Sequence, residues 1–125
     1  MNISQYLASP YFQAGLFELD LCGTIICSRF RKSNVFIDMT SELSGKNLFD
    51  ENNEFLNIKD FQRKFKNFVN GNQFGDNFIF NCKFAEEIIP VKVMMIRAYE
   101  RNCLESANLI ILDIRKSTNT FTFSE

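Results

Sequence analysis

The sequence predicts an α+β fold in which a five-stranded antiparallel sheet carries its helices on one face. Three observations support this fold class: a β-hairpin pattern near the start of the chain, one strongly amphipathic helix in the middle, and three long strand patterns after it. Because the helical patterns lie together between the second and third strands, we expect them to cover one face of the sheet.

The hairpin is predicted by two apolar runs on either side of a tight turn. Residues 16–21 and 24–27 are the two strands, and Gly23 supplies the positive φ that such a turn requires. The pattern weakens over residues 28–44, where we expect short helices and turns. Residues 45–50 are typical of a single turn that begins at a glycine.

The length of 125 residues is typical of one domain. Ser9 and Pro10 have the pattern of a helix start, so a short helix is expected to lead into the hairpin and to end at residue 15. The predicted organisation is therefore an N-terminal helical segment over residues 1–15, the folded domain over 16–116, and a C-terminal tail over 117–125.

The clearest helix in the sequence is Ile58–Asn70. Asn57 is its expected N-cap, and Gly71 stands at the position where a glycine often ends a helix. Apolar side chains recur at three- and four-residue spacing, which predicts one buried face. These side chains are Ile58, Phe61, Phe65, Phe68 and Val69.

Three strands are predicted over residues 77–84, 88–97 and 108–115. The first alternates apolar and polar residues, as a half-buried strand does, whereas the last two are apolar on both faces. One buried face alone does not account for that pattern. We therefore expect the outer face of the sheet to be covered by the N-terminal segment, by a second copy of the chain, or by both.

Composition narrows the class of function. The formal net charge of −1 disfavours nucleic acid as a partner. No apolar run is long enough to insert into a bilayer, and the first residues lack the pattern of a signal peptide, so a cytoplasmic location is expected. The 15 phenylalanines can line an apolar cavity or interface without leaving a hydrogen bond unmade, although they can equally fill a core.

The residue types that metal binding and catalysis need are scarce. The chain has no histidine, and its four cysteines include no Cys-x-x-Cys pair, so no metal site is expected. Without histidine, general-base chemistry would fall to a carboxylate or a lysine, and no suitable pair of carboxylates stands at helical spacing. We expect that the chain is not an enzyme.

Three segments, taken in order, resemble the sequence pattern of PAS domains. Residues 15–26 are similar to the opening hairpin of that family, residues 42–49 to its Leu-x-Gly-x-x-x-Phe step, and residues 113–115 to its terminal Asp-Ile-Thr. The stretch 45–97 is most similar to the photoactive yellow protein branch, through Gly-Lys-Asn-x-Phe, a Phe-x-x-x-Phe helix, Phe-x-Phe in a strand and Pro-Val-Lys-Val. The resemblance implies a sensory or signal-transduction domain, of the kind found in bacterial signalling.

The same resemblance bears on cofactors. The photoactive yellow protein branch tethers p-coumaric acid to a cysteine after the short helix, and residues 50–54 hold no cysteine here. Flavin-binding PAS domains form an adduct with a cysteine at the position of Leu48, and haem-binding ones commonly use a histidine. Tethered p-coumaric acid, a flavin adduct and histidine-ligated haem are therefore disfavoured, and the identity of any cofactor stays open, including haem held by a cysteine or a methionine.

Two functions remain open. In the first, the domain binds a small apolar ligand or a protein partner and relays its state through dimerisation. In the second, it is a ligand-free PAS module for dimerisation or protein interaction, and the same apolar side chains simply fill the core. The candidate pocket is lined by Leu48, Phe65, Phe68, Phe80, Cys82, Met94 and Leu112, with Cys82 as the reactive group.

Asp113 and Arg115 are the candidate residues for signal coupling. In the resembling family the terminal aspartate helps to couple the sheet to an output helix, and Arg115 stands where the family usually has threonine. The alternative is a surface ion pair between Asp113 and either Arg97 or Arg115. The partner would be a second copy or another signalling domain, bound through the outer face of the sheet and the N-terminal segment.

Overall fold

The computed structural model describes residues 7, 9, 12–32, 34–50, 55–99 and 109–117. Their named elements follow the chain in the order strand, strand, strand, helix, helix, strand, strand, strand. They are β1 (Phe12–Leu19), β2 (Ile25–Lys32), β3 (Val35–Asp38), α1 (Thr40–Leu43), α2 (Ile58–Asn70), β4 (Gly75–Lys83), β5 (Ile88–Ala98) and β6 (Leu109–Lys116).

All the strands pair antiparallel in one sheet with the order β3-β2-β1-β6-β5-β4. The sheet has six strands rather than the predicted five, but the α+β class with an antiparallel sheet is confirmed. The additional strand is β3, which pairs with β2 from Arg29 opposite Asp38 to Lys32 opposite Val35. Helices and turns were predicted over residues 28–44; α1 and the turns at Asn34 and Ser44 fit that prediction, whereas residues 28–32 and 35–38 are strand.

The predicted hairpin is present, and Gly23 in its turn has a φ of 93°. Its first strand begins earlier than predicted, because Phe12 already pairs with Lys32 of β2 and Ala14 pairs with Arg115 of β6. The expected leading helix is therefore wrong for residues 12–15, where pairing on both sides holds the chain extended. Most of its remainder, including Pro10, lies outside the described residues, as does most of the predicted tail over 117–125.

The long helix α2 has the predicted bounds, but its ends are held differently. The Asn57 side chain does not cap the helix; it donates to the Asn81 carbonyl at 2.8 Å and accepts from the Lys83 N–H at 2.9 Å. Asn57 therefore ties the start of α2 to β4. At the other end Gly71 is extended, with φ −93° and ψ −169°, rather than left-handed.

One face of the sheet, the inner face, is buried against α1, α2 and the segments around them. The register places its residues in rows across neighbouring strands, with Phe17 opposite Leu112 and Leu112 opposite Met95. The buried inward residues include Phe17, Leu19, Ile25, Ser28, Phe30, Phe80, Cys82, Ile89, Val91, Val93, Met95, Ile110, Leu112 and Ile114. Among the described residues, no helix is long and apolar enough to cross a membrane.

Candidate functional site

The inner face brings together six of the seven side chains predicted to line a pocket. All six are buried in one continuous apolar cluster between the sheet and the helices. They are Leu48, Phe65, Phe68, Phe80, Cys82 and Leu112.

Met94 is the exception, and the prediction needs correction there. Its side chain is 43% exposed on the opposite, outer face, whereas Met95 is fully buried beside Leu112. Successive side chains of a strand point to opposite faces. Met95 therefore takes the inward position that was assigned to Met94.

Phenylalanine rings fill the space between α2 and the sheet. Phe61 of α2 lies 5.0 Å from Phe80 of β4, measured between ring centroids, and Phe49 lies 5.0 Å from Phe65. Phe55 continues the contacts to Phe80 at 6.3 Å. These separations are typical of packed aromatic pairs. Phe61 belongs to the predicted apolar stripe of the helix, but Phe49 and Phe55 lie outside any periodic pattern and were not predicted as lining residues.

Two polar groups on the inner face differ in what they can do. Burial raises the pKa of the Cys82 thiol to about 12, so the group stays protonated and is a poor nucleophile. The Ser28 hydroxyl is buried and has no hydrogen-bond partner among the described residues. An unpaired buried hydroxyl is costly, and it is therefore a natural partner for a polar atom of a guest molecule or of a water.

Arg97 lies on the inner face near the end of β5, and its hydrogen bonds link the end of α2 to the sheet. Its guanidinium donates to the carbonyls of Phe68, Val69, Gly71 and Gln73, with N···O distances of 3.3, 2.8 and 2.6 Å for the last three. The same group stands 4.8 Å from the centroid of the Phe68 ring. A cation here satisfies carbonyls that the helix itself leaves unpaired.

The outer face combines charged and apolar side chains in rows that run across the whole sheet. One row joins opposite partners on all the strands, and the next row does the same one pleat away. The first row is Asp38, Arg29, Leu16, Asp113, Met94 and Asn77. The second is Phe36, Arg31, Ala14, Arg115, Lys92 and Ile79.

Asp113 and Arg115 form an ion pair at the centre of this face. Arg115 donates through Nε and Nη2 to the two carboxylate oxygens of Asp113, each at 3.1 Å. This hydrogen bonding with Asp113 raises the pKa of Arg115 further above its usual value. Arg115 is mostly exposed, so the pair contributes little to stability. Of the two partners considered for Asp113, the structure pairs it with Arg115, while Arg97 lies on the inner face.

Two open clefts flank the ion pair, and both have Asp113 and Arg115 in their walls. The first, of about 560 Å³, lies over β1, β2 and β3 and has Arg29, Arg31 and Phe36 along its sides. The second, of about 580 Å³, lies over β4 and β5 and includes Lys92. Volumes of this order are typical of binding sites. The clefts belong to the outer face, which the sequence predicted to be an association surface.

The side chains at these sites bear on metal binding and on anion binding. Within the part of the chain that the structure describes, no group of three or more Cys, Asp or Glu side chains is arranged to hold a metal ion. The outer face offers guanidinium groups beside apolar side chains, and such a combination can hold a carboxylate next to an apolar group.

Comparison with known proteins bears on the fold. No protein-family model matches the chain, and no curated protein matches it. Among solved structures, it is similar to the photoactive yellow protein domain from the sensor histidine kinase Ppr of Rhodospirillum centenum. The two share 20% sequence identity with a TM-score of 0.55, over 93% of this chain and 94% of that domain. The PAS-like fold that the sequence predicted is thereby confirmed.

Proposed function

From this PAS-like fold we propose that the chain is a sensory signal-relay module that acts by binding through the outer face of its sheet and performs no catalysis. Its partner is a second copy or another signalling domain. The cytoplasm is the compartment in which such a module would work. Asp113 and Arg115 are the residues that we propose to couple the state of the domain to that partner.

The observation that carries the proposal is the set of apolar side chains left exposed on the outer face. Leu16, Met94 and Ile79 are 41%, 43% and 55% exposed, and they lie on three different strands of one surface. Leu16 and Met94 belong to β1 and β5, which both lie inside the sheet rather than at its edge. Apolar side chains grouped in this way are typical of a surface that associates with another molecule.

The central strand β6 provides the route for the relay. Leu112 packs in the buried cluster, and the next residue, Asp113, lies on the outer face between the two clefts. A shift of Leu112 would move Asp113 and its ion pair with Arg115, because one stretch of backbone carries all three residues. The N-terminal segment is also linked to this strand, since Lys116 Nζ donates to the Ser9 carbonyl at 2.8 Å.

A second candidate function is the recognition of a small apolar ligand between α2 and the sheet. The unpaired Ser28 hydroxyl favours it, because a single polar group in an apolar surrounding can fix the orientation of a guest. The phenylalanines around Phe61 and Phe80 would supply the apolar contacts. In that case Leu48, Phe65, Phe68, Cys82 and Leu112 form part of the lining.

Native mass spectrometry of the protein purified from its own host tests the proposal and separates the two candidates. A complex with a second chain, or with another protein, at a defined stoichiometry is the expected result for the relay. A stoichiometric small extra mass supports the ligand sensor instead. A bare monomer at every concentration and growth condition would contradict both.

Two matched substitutions locate the surface in the same experiment. Leu16→Glu places a charge in the middle of the outer face, and we expect it to dissociate the complex. Leu56→Glu is the control, since Leu56 is also exposed, at 62%, but lies two residues before α2. Equal loss of the complex in both variants would place the interface elsewhere.

A further inference from the structure

We propose that the first outer cleft, over β1, β2 and β3, binds an acidic extended peptide segment of a partner protein that also carries an apolar side chain. We call this site the arginine cleft, after Arg29, Arg31 and Arg115 in its walls. The inference rests on the proposed function and narrows it, because it names the chemistry of the partner.

The charge of the arginine cleft is the first reason to expect an acidic ligand. Three arginines line the arginine cleft against two carboxylates, Asp38 and Asp113, although the whole chain has a formal charge of −1. Asp113 is already engaged by Arg115. Positive charge is thus concentrated where the protein as a whole is slightly negative, which favours an acidic ligand.

Arg31 is available to bind an acidic ligand. Within the described chain Arg31 has no ion pair; its guanidinium stands 5.6 Å from the centroid of the Phe36 ring. The planar fork of a guanidinium can donate two parallel hydrogen bonds to one carboxylate. Arg31 therefore has both the charge and the donors that an acidic ligand needs.

The Asp38 carboxylate at the end of β3 already accepts a hydrogen bond within the chain. Hydrogen bonds from Thr40, from its side chain and its backbone N–H, lower the pKa of Asp38, and Arg29 adds to the effect. The Thr40 N–H donates to Asp38 Oδ1 at 2.9 Å. Thr40 thus holds that carboxylate by hydrogen bonds, and no ion pair joins it to Arg31 among the described residues, so Arg31 stays available to an incoming acid.

The apolar walls of the arginine cleft are the reason to expect an apolar side chain in the same ligand. Ala14, Gly15 and Leu16 form its floor, and Phe36, which is 72% exposed, stands at its side. Phe36 belongs to β3, the strand that the sequence did not predict. This short strand thus adds both an aromatic wall and Asp38 to the outer face.

The shape of the groove favours a peptide over a small molecule. The arginine cleft is open and shares Asp113 and Arg115 with the second cleft, where Lys92 lies opposite Arg115 in the strand register. Six strands are separated by five gaps of about 4.8 Å, so the two clefts together cross about 24 Å, the length of about seven extended residues. A small molecule would leave most of its surface in water there.

The spacing of two cations fits such a segment. Arg31, Arg115 and Lys92 lie in one row, separated by two strand spacings and then by one. Arg31 and Lys92 are therefore about 14 Å apart, which is close to the distance of about 13 Å between residues i and i+4 of an extended chain. Carboxylates at the first and fifth positions would lie beside Arg31 and Lys92, while Arg115 stays paired with Asp113.

A second copy is the less suitable occupant. A two-fold dimer places the same patch against itself, and the two clefts together present four cations against two carboxylates. Two such faces would repel each other. An acidic segment neutralises the same charges, and its apolar residues cover Leu16 and Phe36.

Fluorescence anisotropy with the recombinant chain tests the inference. The probe is a labelled seven-residue peptide that alternates glutamate with phenylalanine or leucine, and the control is the same peptide with lysine in place of glutamate. We expect binding of the acidic peptide alone, weakened at least about tenfold between 50 and 300 mM NaCl.

Substitutions in the arginine cleft and on α2 show where the peptide binds. Arg31→Glu is expected to weaken binding at least about tenfold, whereas Arg31→Lys, which keeps the charge but loses the two-donor fork, should weaken it less. Lys59→Glu makes the same charge change on the exposed face of α2 and should alter binding less than about twofold. Circular dichroism and the melting temperature report whether each variant is folded.

Equal binding of the acidic and basic peptides, or a folded Arg31→Glu variant that binds normally, would overturn the inference. A homodimer seen by native mass spectrometry without any acidic-peptide binding would also overturn it and leave the proposed function intact. If no complex of any kind forms in the host, it is the proposed function that fails.

Discussion

The two faces of the sheet are built from the same strands but serve different purposes. On the inner face Leu112, Met95 and Phe17 are fully or almost fully buried against phenylalanine rings, while on the outer face Leu16 and Met94 remain partly exposed. Both sets lie on interior strands. Adjacent residues on one strand can therefore bury all of their apolar surface on folding or only part of it, and the exposed part is left available for a partner.

Truncation of one apolar side chain on each face should give the largest contrast. We expect Phe61→Ala to lower the free energy of unfolding by about 3–5 kcal/mol, because it removes a buried ring in contact with Phe80. Leu16→Ala on the outer face should cost less than about 1 kcal/mol. Urea denaturation of both variants measures the difference. A similar loss in both would mean that the outer face belongs to the core.

The hairpin turn offers a test of inner packing with a matched control. Gly23 and Gly45 both have positive φ, at 93° and 87°, but an added Cβ at Gly23 would lie 2.9 Å from Phe49 Cδ2, whereas nothing lies within 4 Å of one at Gly45. Gly45→Ala should cost about 1–2 kcal/mol from backbone strain. Gly23→Ala should cost a further 1–3 kcal/mol, roughly, from the clash. Equal melting temperatures would contradict the close approach of Phe49.

Substitution of Arg97 tests how hydrogen bonds hold α2 against the inner face of the sheet. Arg97→Met should lower the free energy of unfolding by about 1–3 kcal/mol, because it leaves the carbonyls at the end of α2 without their donor. Hydrogen exchange should accelerate most in the last turn of α2. The control is Arg63→Met, which removes an exposed ion pair with Asp60 and should cost less than about 0.5 kcal/mol.

The smallest expected effect is the response of the inner face to alkaline pH. The folded pKa of Cys82, about 12, lies above its ordinary value of 9.0, so its contribution to stability is complete below pH 9 and is lost as the pH rises toward 12. Between pH 9 and 10 we expect a loss of about 1 kcal/mol that Cys82→Ala does not show. Urea midpoints at the two pH values measure it, and parallel losses in both proteins would assign the effect to other groups.

Local patterns in the sequence predicted much of this fold. The bounds of α2 follow from the spacing of Phe61, Phe65 and Phe68, and the strands after it follow from the alternation of β4 and the apolar runs of β5 and β6. These signals lie within the segments themselves. The helix stripe also accounts for the buried positions of Phe65 and Phe68, and the alternation of β4 for those of Phe80 and Cys82, because each pattern has one apolar side.

Features that depend on distant partners were not predictable in this way. β3 has four residues and is extended because it pairs with β2, and Asn57 binds strand β4 rather than its own helix. In β5 both faces are apolar, so the pattern does not decide whether Met94 or Met95 points inward. The register with β6 decides it. The arginine cleft likewise appears only when Phe36 of β3 is brought beside Arg31 of β2.

The position of β6 has a consequence for the order of synthesis. It is the last described strand in the chain, yet it lies between β1 and β5 and pairs with both. A nascent chain that ends before residue 109 has two separate strand groups, each with a bare edge, and no means to join them. The ribosome must therefore release residues 109–116 before the sheet can close, and until then the two edges are open to pairing with other chains.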